Sequence, residues 1–312
     1  MILIRITLLL VLSLLTFSGH SQNIQLRKPI DWSMYSTDSN FAGVFANKDF
    51  SFLQEVSCEE IYYISDSLLI KGFLFVPSNT PIPNSLPGII FNKGGNNGIN
   101  KLEHQASFMS LVYNAWLASH GYIVIRSEYR GCPDCEGIDE FGGNDLTDVL
   151  NLIPILKEES GNKNIPIGMY GISRGSMMTL MSLTRTSEID CAVCLATPAD
   201  FFSIANLLPD FEKQVLEAQI PDYKSTRSYA LKSRSLSFWY QDLPKTTPIL
   251  FIHGEQDKRA PFSTLKNTLK NLSDRDNVKL ITYPQKGHFL REKSKEAMQE
   301  CLAWFNYYLI EE

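Results

Sequence analysis

The chain of 312 residues is 44% hydrophobic and 20% charged, with 18 Gly and 15 Pro, which excludes disorder, collagen-like repeats and coiled coil. Lys+Arg of 29 against Asp+Glu of 34 leaves a net charge of −5. That balance lacks the basic footprint a phosphate backbone requires, so nucleic acid is not an expected partner.

The first element is a leader, MILIRITLLLVLSLLTFSGHSQ. Arg5 precedes the apolar run Ile6–Phe17, and Gly19 and Ser21 occupy the −3 and −1 positions of a cut before Gln22. This layout predicts a signal peptide over residues 1–21 and export to the periplasm or the outside of the cell. The run is too short for a spanning helix, so no stable membrane span is expected. Residues 22–58 read as a polar, irregular N-terminal segment.

From Glu59 the pattern is regular. EEIYYIS and SLLIKGFLFVP predict a hairpin turning at Asp66. Strands follow at LPGIIFNK (86–93), YIVIRS (122–127), IPIGMYGIS (165–173), IDCAVCLA (189–196), TPILFIHG (247–254) and NVKLITYP (277–284). Helical patterns lie between them, over 103–119, 145–159, from Arg174, over 261–272 and over 293–310, with Pro154 expected to interrupt the second. Continuous apolar strands alternating with helices imply an α/β fold, a mostly parallel central sheet with helices on both faces. Residues 199–245 break the alternation and read as a small cap insertion on one domain spanning 59–312. Its aromatic residues Phe201, Phe202, Phe211, Trp239 and Tyr240 are expected to pack, and none is singled out for substrate.

Gly171-Ile172-Ser173-Arg174-Gly175 follows a strand and opens a helix, the context a G-x-S-x-G nucleophile requires. A sharp turn there lifts the Ser173 hydroxyl clear of the sheet and aims the Arg174 N–H where an oxyanion would form. Serine needs a base, and there are five histidines. His20 belongs to the leader, His104 and His120 flank a helix, and His253 sits in a strand-ending turn. His288, in a loop between the last strand and the last helix, is the base that remains. The carboxylate is Asp257 in preference to Glu255, two residues further from the strand edge. The order Ser, Asp, His is that of an α/β-hydrolase. A second oxyanion donor is expected from the Gly/Asn loop at 94–97, with Gly95 and Asn96 equally placed, although a plain flexible turn accounts for the same letters.

Cys132-Pro-Asp-Cys135 and Cys191-Ala-Val-Cys194 are spaced too far apart for a zinc ribbon, and the second pair lies in a strand that sends its sulfurs to opposite faces. No metal is expected. A local disulfide between Cys132 and Cys135 stays open, and the other four cysteines read as buried or unpaired thiols.

Together GISRG, HGEQDKRAP, KGH and YRGCPDCEGIDEFGGNDLTDVLNLI (129–153) resemble the catalytic domain of the prolyl oligopeptidase family of serine peptidases, within the α/β-hydrolase superfamily. The resemblance runs from about Glu59 to the C-terminus. It implies Ser173, Asp257 and His288 as a triad and Arg174 as one oxyanion donor. Larger members carry a β-propeller before this domain, which residues 22–58 cannot supply. Some members use an oxyanion tyrosine, and the loop here holds only Gly and Asn. The expected protein is an exported serine hydrolase without cofactor. It cleaves short peptides through an acyl-enzyme or, alternatively, acts as a carboxylesterase on carbohydrate or lipid esters. The intact Ser, Asp and His set argues against an inactive binding protein.

Overall fold

The computed structural model describes residues 23–33, 35, 50–78, 86–96, 98 and 105–310. The leader Met1–Ser21, His104 and Asn97 lie outside them. Nine strands form one sheet: β1 (Ile24–Pro29), β2 (Val56–Ser65), β3 (Leu68–Pro77), β4 (Gly88–Asn92), β5 (Ile123–Ser127), β6 (Ile167–Ile172), β7 (Cys191–Leu195), β8 (Ile249–Gly254) and β9 (Val278–Tyr283). Their order is β1-β2-β3-β5-β4-β6-β7-β8-β9. β1 to β3 and the β3–β5 pairing are antiparallel, and the remaining pairings are parallel. The fold is α/β-hydrolase-type, an open and mostly parallel sheet with helices on both faces.

The central strands are continuous apolar runs because they are covered twice. On β7, Cys191 and Val193 join the core on one face, and Ala192 and Cys194 join the core on the other. Each fully buried aliphatic side chain there contributes about 1.5–3 kcal/mol. One face carries α1 (Gln105–Ser119) and α8 (Ser294–Leu309). The other carries α2 (Asp145–Leu150), α3 (Leu152–Glu159), α4 (Arg174–Leu183) and α7 (Phe262–Leu269). Pro154 has no N–H for the Leu150 carbonyl, and the helical run breaks at Asn151, between α2 and α3. The hairpin turn places Asp66 and Ser67 at φ +48° and +66°, as a tight two-residue connection requires.

The segment read as irregular contains an edge strand, β1. Its letters, IQLRKP, lack apolar alternation because the strand is held through its backbone ladder and by ion pairs. Arg27 bonds Glu59 at 2.8 Å and also pairs with Glu159, while Lys28 reaches Glu60 at 3.2 Å. Charge on an exposed edge also discourages pairing with another sheet.

Residues from Phe201 to Asp242 are helical, with α5 (Phe201–Leu207) and α6 (Tyr223–Arg234) joined through the π-helical turn Glu212–Leu216. Asp200 caps α5, accepting from the Phe202 and Ser203 N–H groups. The buried Arg234 at the end of α6 ties this region to the sheet by donating to the Phe141 and Glu140 carbonyls at 2.6 and 2.8 Å. Cys132 and Cys135 are disulfide-bonded, and Cys58, Cys191, Cys194 and Cys301 are free and buried. Among the described residues no helix is long and apolar enough to cross a membrane.

Candidate active site

The site lies at the C-terminal ends of the parallel strands. Ser173 joins β6 to α4 at φ +56° and ψ −119°, a strained conformation for a residue with a side chain. What holds it there is close backbone approach. A Cβ on Gly171 would collide with the Gly175 carbonyl, and one on Gly175 with the Asn92 carbonyl. The Ser173 N–H is fixed to the Leu195 carbonyl at 2.8 Å.

His288 follows β9, and Asp257 follows β8. Asp257 Oδ2 accepts from His288 Nδ1 at 2.7 Å, and His288 Nε2 stands 3.0 Å from Ser173 Oγ. An ionised carboxylate only accepts, so Nδ1 carries the proton and Nε2 is left to accept from the serine hydroxyl. The other oxygen, Oδ1, accepts from the Arg259 and Ala260 N–H groups at 2.8 and 2.9 Å. Burial would push the Asp257 carboxyl up, but hydrogen bonds from His253 and His288 outweigh it and hold it well below the usual range. This is the geometry in which a hydroxyl can lose its proton to an imidazole that a buried anion orients.

The competing residues are placed elsewhere. Glu255 is exposed and accepts from Thr282 Oγ1 at 2.9 Å. Glu255→Gln is therefore expected to leave kcat/KM within about twofold, as surface changes commonly do, checked by steady-state kinetics. His253 is buried with Nε2 2.9 Å from the Ala260 carbonyl and 3.4 Å from Asp257, bracing the turn that presents Asp257. His120 is exposed, 2.7 Å from the Trp116 carbonyl.

A cavity of about 880 Å³ opens at Ser173 and His288. Arg174, Gly95 and Asn96 line it. The Arg174 N–H belongs to the first turn of α4, whose amides have no intrahelical acceptor. The facing loop is near: a Cβ on Gly94 would stand 3.4 Å from Ser173 Cβ. Two contacts hold that loop. The Gly95 carbonyl accepts from Arg174 Nη1 at 3.4 Å, and the Asn96 carbonyl from Gln219 Nε2 at 3.2 Å. Of the aromatic residues in 199–245, Phe201 and Phe211 line the cavity with Phe141, Ile204 and Leu208, whereas Phe202, Trp239 and Tyr240 do not.

Sequence reasoning missed a second wall. Lys93, Arg126 and Glu128 are buried and line the same cavity from the β4 and β5 side. The available signal was charge inside strand-like letters, IVIRSEYR, where solvent exposure would not explain it. The role of YRG…DEFGG…D is also physical. The Arg174 guanidinium bonds Asp139 and Asp145, each at 2.6 Å, and lies between the rings of Tyr129 and Phe141 at 4.7 and 4.5 Å.

A sheet of this topology, with a serine raised on such a turn, is the architecture of α/β-hydrolase-type serine hydrolases, and the protein is one. The comparisons narrow the class. The chain belongs to the prolyl oligopeptidase family, whose pattern it matches over residues 107–312. The uncharacterized peptidase YtmA of Bacillus subtilis is 27% identical over 234 residues, 70% of this chain and 82% of its own. Dipeptidyl peptidase family member 6 of Caenorhabditis elegans is 27% identical over 202 residues, 60% of this chain and 27% of its own. The acylamino-acid-releasing enzyme of Rattus norvegicus is 23% identical over 263 residues, 77% of this chain and 34% of its own. The chain thus spans well under two thirds of the length of the last two. An acylaminoacyl peptidase of Pyrococcus horikoshii superposes with a TM-score of 0.67 at 19% identity, covering 88% of this chain and 44% of that one. An esterase of Pyrococcus furiosus gives 0.62 at 14% identity, covering 84% and 97%. At these identities the structural likeness is one of fold.

Proposed function

We propose that the protein is an exported serine peptidase cleaving short peptides through an acyl-enzyme on Ser173. The relay from Ser173 through His288 to Asp257, at 3.0 and 2.7 Å, carries this reading. Ser173 Oγ attacks the scissile carbonyl while its proton passes to His288 Nε2, and Asp257 stabilises the imidazolium. The Arg174 N–H and one N–H from Gly95 or Asn96 receive the oxyanion. Collapse of the tetrahedral intermediate expels the amine, which takes the proton from His288. Water then repeats the sequence on the acyl-enzyme, releasing the acid and restoring Ser173.

Family membership and the peptidases among the relatives support an amide substrate. The cavity of about 880 Å³ suits a short peptide rather than a folded chain. The leader supports export, as does the Cys132–Cys135 disulfide, a bond that persists in oxidising compartments. The test sets dipeptidyl and tripeptidyl amides beside short-chain p-nitrophenyl esters, with a fluorophosphonate probe on the purified protein. Amide turnover with labelling at Ser173 is the expected result. Ester turnover without any amide cleavage would replace the peptidase reading with the carboxylesterase one.

A further inference from the structure

The second wall of the cavity is unused by the acyl-transfer steps. Of the charged side chains on the cavity surface, Lys93, Arg126, Arg174 and Arg259 are cationic. Glu128 is the one carboxylate there among the described residues. Arg174 is committed to Asp139 and Asp145. Glu128 is committed to Arg126, 2.5 Å away, with a fully buried side chain. The balance at this end is therefore positive in a chain whose net charge is −5. Donors are also in surplus: Arg126 Nε and Asn114 Nδ2 are buried without an acceptor among the described residues. A low-dielectric cleft lined by one sign of charge concentrates ligands of the opposite sign.

Topology sets the distance. β4 lies between β5 and β6, with Phe91 opposite both Arg126 and Tyr170. Lys93 stands one strand from the Ser173 turn and Arg126 two strands, roughly 5 and 10 Å at ordinary strand spacing. An extended peptide covers that in one to three residues. We propose that Lys93, backed by Arg126, binds a carboxylate of the substrate one to three residues from the scissile bond. This makes the enzyme selective for short anionic peptides. The inference rests on Ser173 as the nucleophile only in fixing where the scissile bond lies. Ammonium recognition is excluded at this wall because its carboxylate is already held by Arg126.

Binding is measured by calorimetry on the Ser173→Ala protein, with N-acetylated tripeptides so that no peptide amine titrates. One arm compares free acids with their C-terminal amides. The other compares amidated peptides carrying Asp or Glu with those carrying Asn or Gln, which separates a terminal carboxylate from a side-chain one. In at least one arm the anionic member binds roughly 10- to 100-fold tighter, the range for a charge-assisted hydrogen bond out of water. Lys93→Met in the same background removes that difference.

Burial, with Arg174 and Arg126 nearby, pushes the Lys93 ammonium down to about 8 against the opposing pull of Glu128 and Asp139, over the Tyr129 ring. The preference for anions is therefore full below pH 7 and fades above pH 9. Equal affinities within both pairs, or no measurable binding of any anionic peptide, overturn the proposal whether or not the Lys93 variant folds. A Lys93→Met enzyme with wild-type Ser173 whose kcat falls equally on neutral and anionic substrates, with KM unchanged, also overturns it. That outcome would assign the ammonium to the reacting carbonyl. Hydrolysis of the peptides by the Ser173→Ala protein would instead sink the nucleophile assignment.

Discussion

Ser173→Ala is expected to lower kcat/KM by about 10⁴- to 10⁶-fold on whichever substrate the protein turns over, equivalent to about 5–8 kcal/mol of transition-state stabilisation. The loss is this large because Oγ is the atom that bonds to the substrate, and nothing else on the cavity wall is placed against His288 Nε2 in the same way. Folding should survive the change. The strain at φ +56° is borne by the backbone and set by Gly171, Gly175 and the Leu195 carbonyl, so alanine meets the same constraint as serine. A thermal melt superposable on that of the unaltered protein is the control. His288→Ala added to Ser173→Ala should cost almost nothing more, since groups that act as one unit do not lose their contributions additively. A double variant well below the single one would mean that His288 acts apart from Ser173.

The reading of Ser173, Asp257 and His288 depended on order and context, both of which one-dimensional information carries. A serine between two glycines at a strand-to-helix junction is a local statement. The elimination that reached His288 needed only the positions of strands. Most of the sheet was legible for the same reason: strands covered on both faces must be apolar along their whole length. The edge strand β1 was not, because ion pairs such as Arg27–Glu59 replaced the apolar pattern. The choice between Gly95 and Asn96 depends on peptide-plane orientation, which the letters do not encode. The Lys93, Arg126 and Glu128 wall was hidden more deeply. Lys93 and Arg126 are brought together by the pairing of β4 with β5, and that register is a property of the whole sheet.

Arg174→Met is expected to destabilise the protein by about 3–5 kcal/mol, read as a lower midpoint in urea at unchanged slope. Burial alone would oppose the guanidinium's charge, and Asp145 with Asp139 outweighs it, so the group stays charged. Asp145 is fully buried and also accepts from the Gly142 and Gly143 N–H groups, the latter at 2.7 Å. Removing the cation leaves two carboxylates facing an apolar replacement of similar length, and the penalty is that of unpaired buried charge rather than of lost packing. Arg174→Lys should recover part of the loss, because one ammonium keeps the charge but cannot span both carboxylates as the planar fork does. The motif DEFGG…D is thus explained by what it grips. It anchors the side chain of the residue whose backbone N–H is proposed to face the oxyanion, so rigidity in one loop is delivered to the reacting centre by a single residue. If this coupling holds, Arg174→Met loses kcat as well as stability at temperatures where it is fully folded, and Arg174→Lys loses less of both. A Met variant as stable as the original would show that Asp139 and Asp145 find other partners, and the coupling would fall with it.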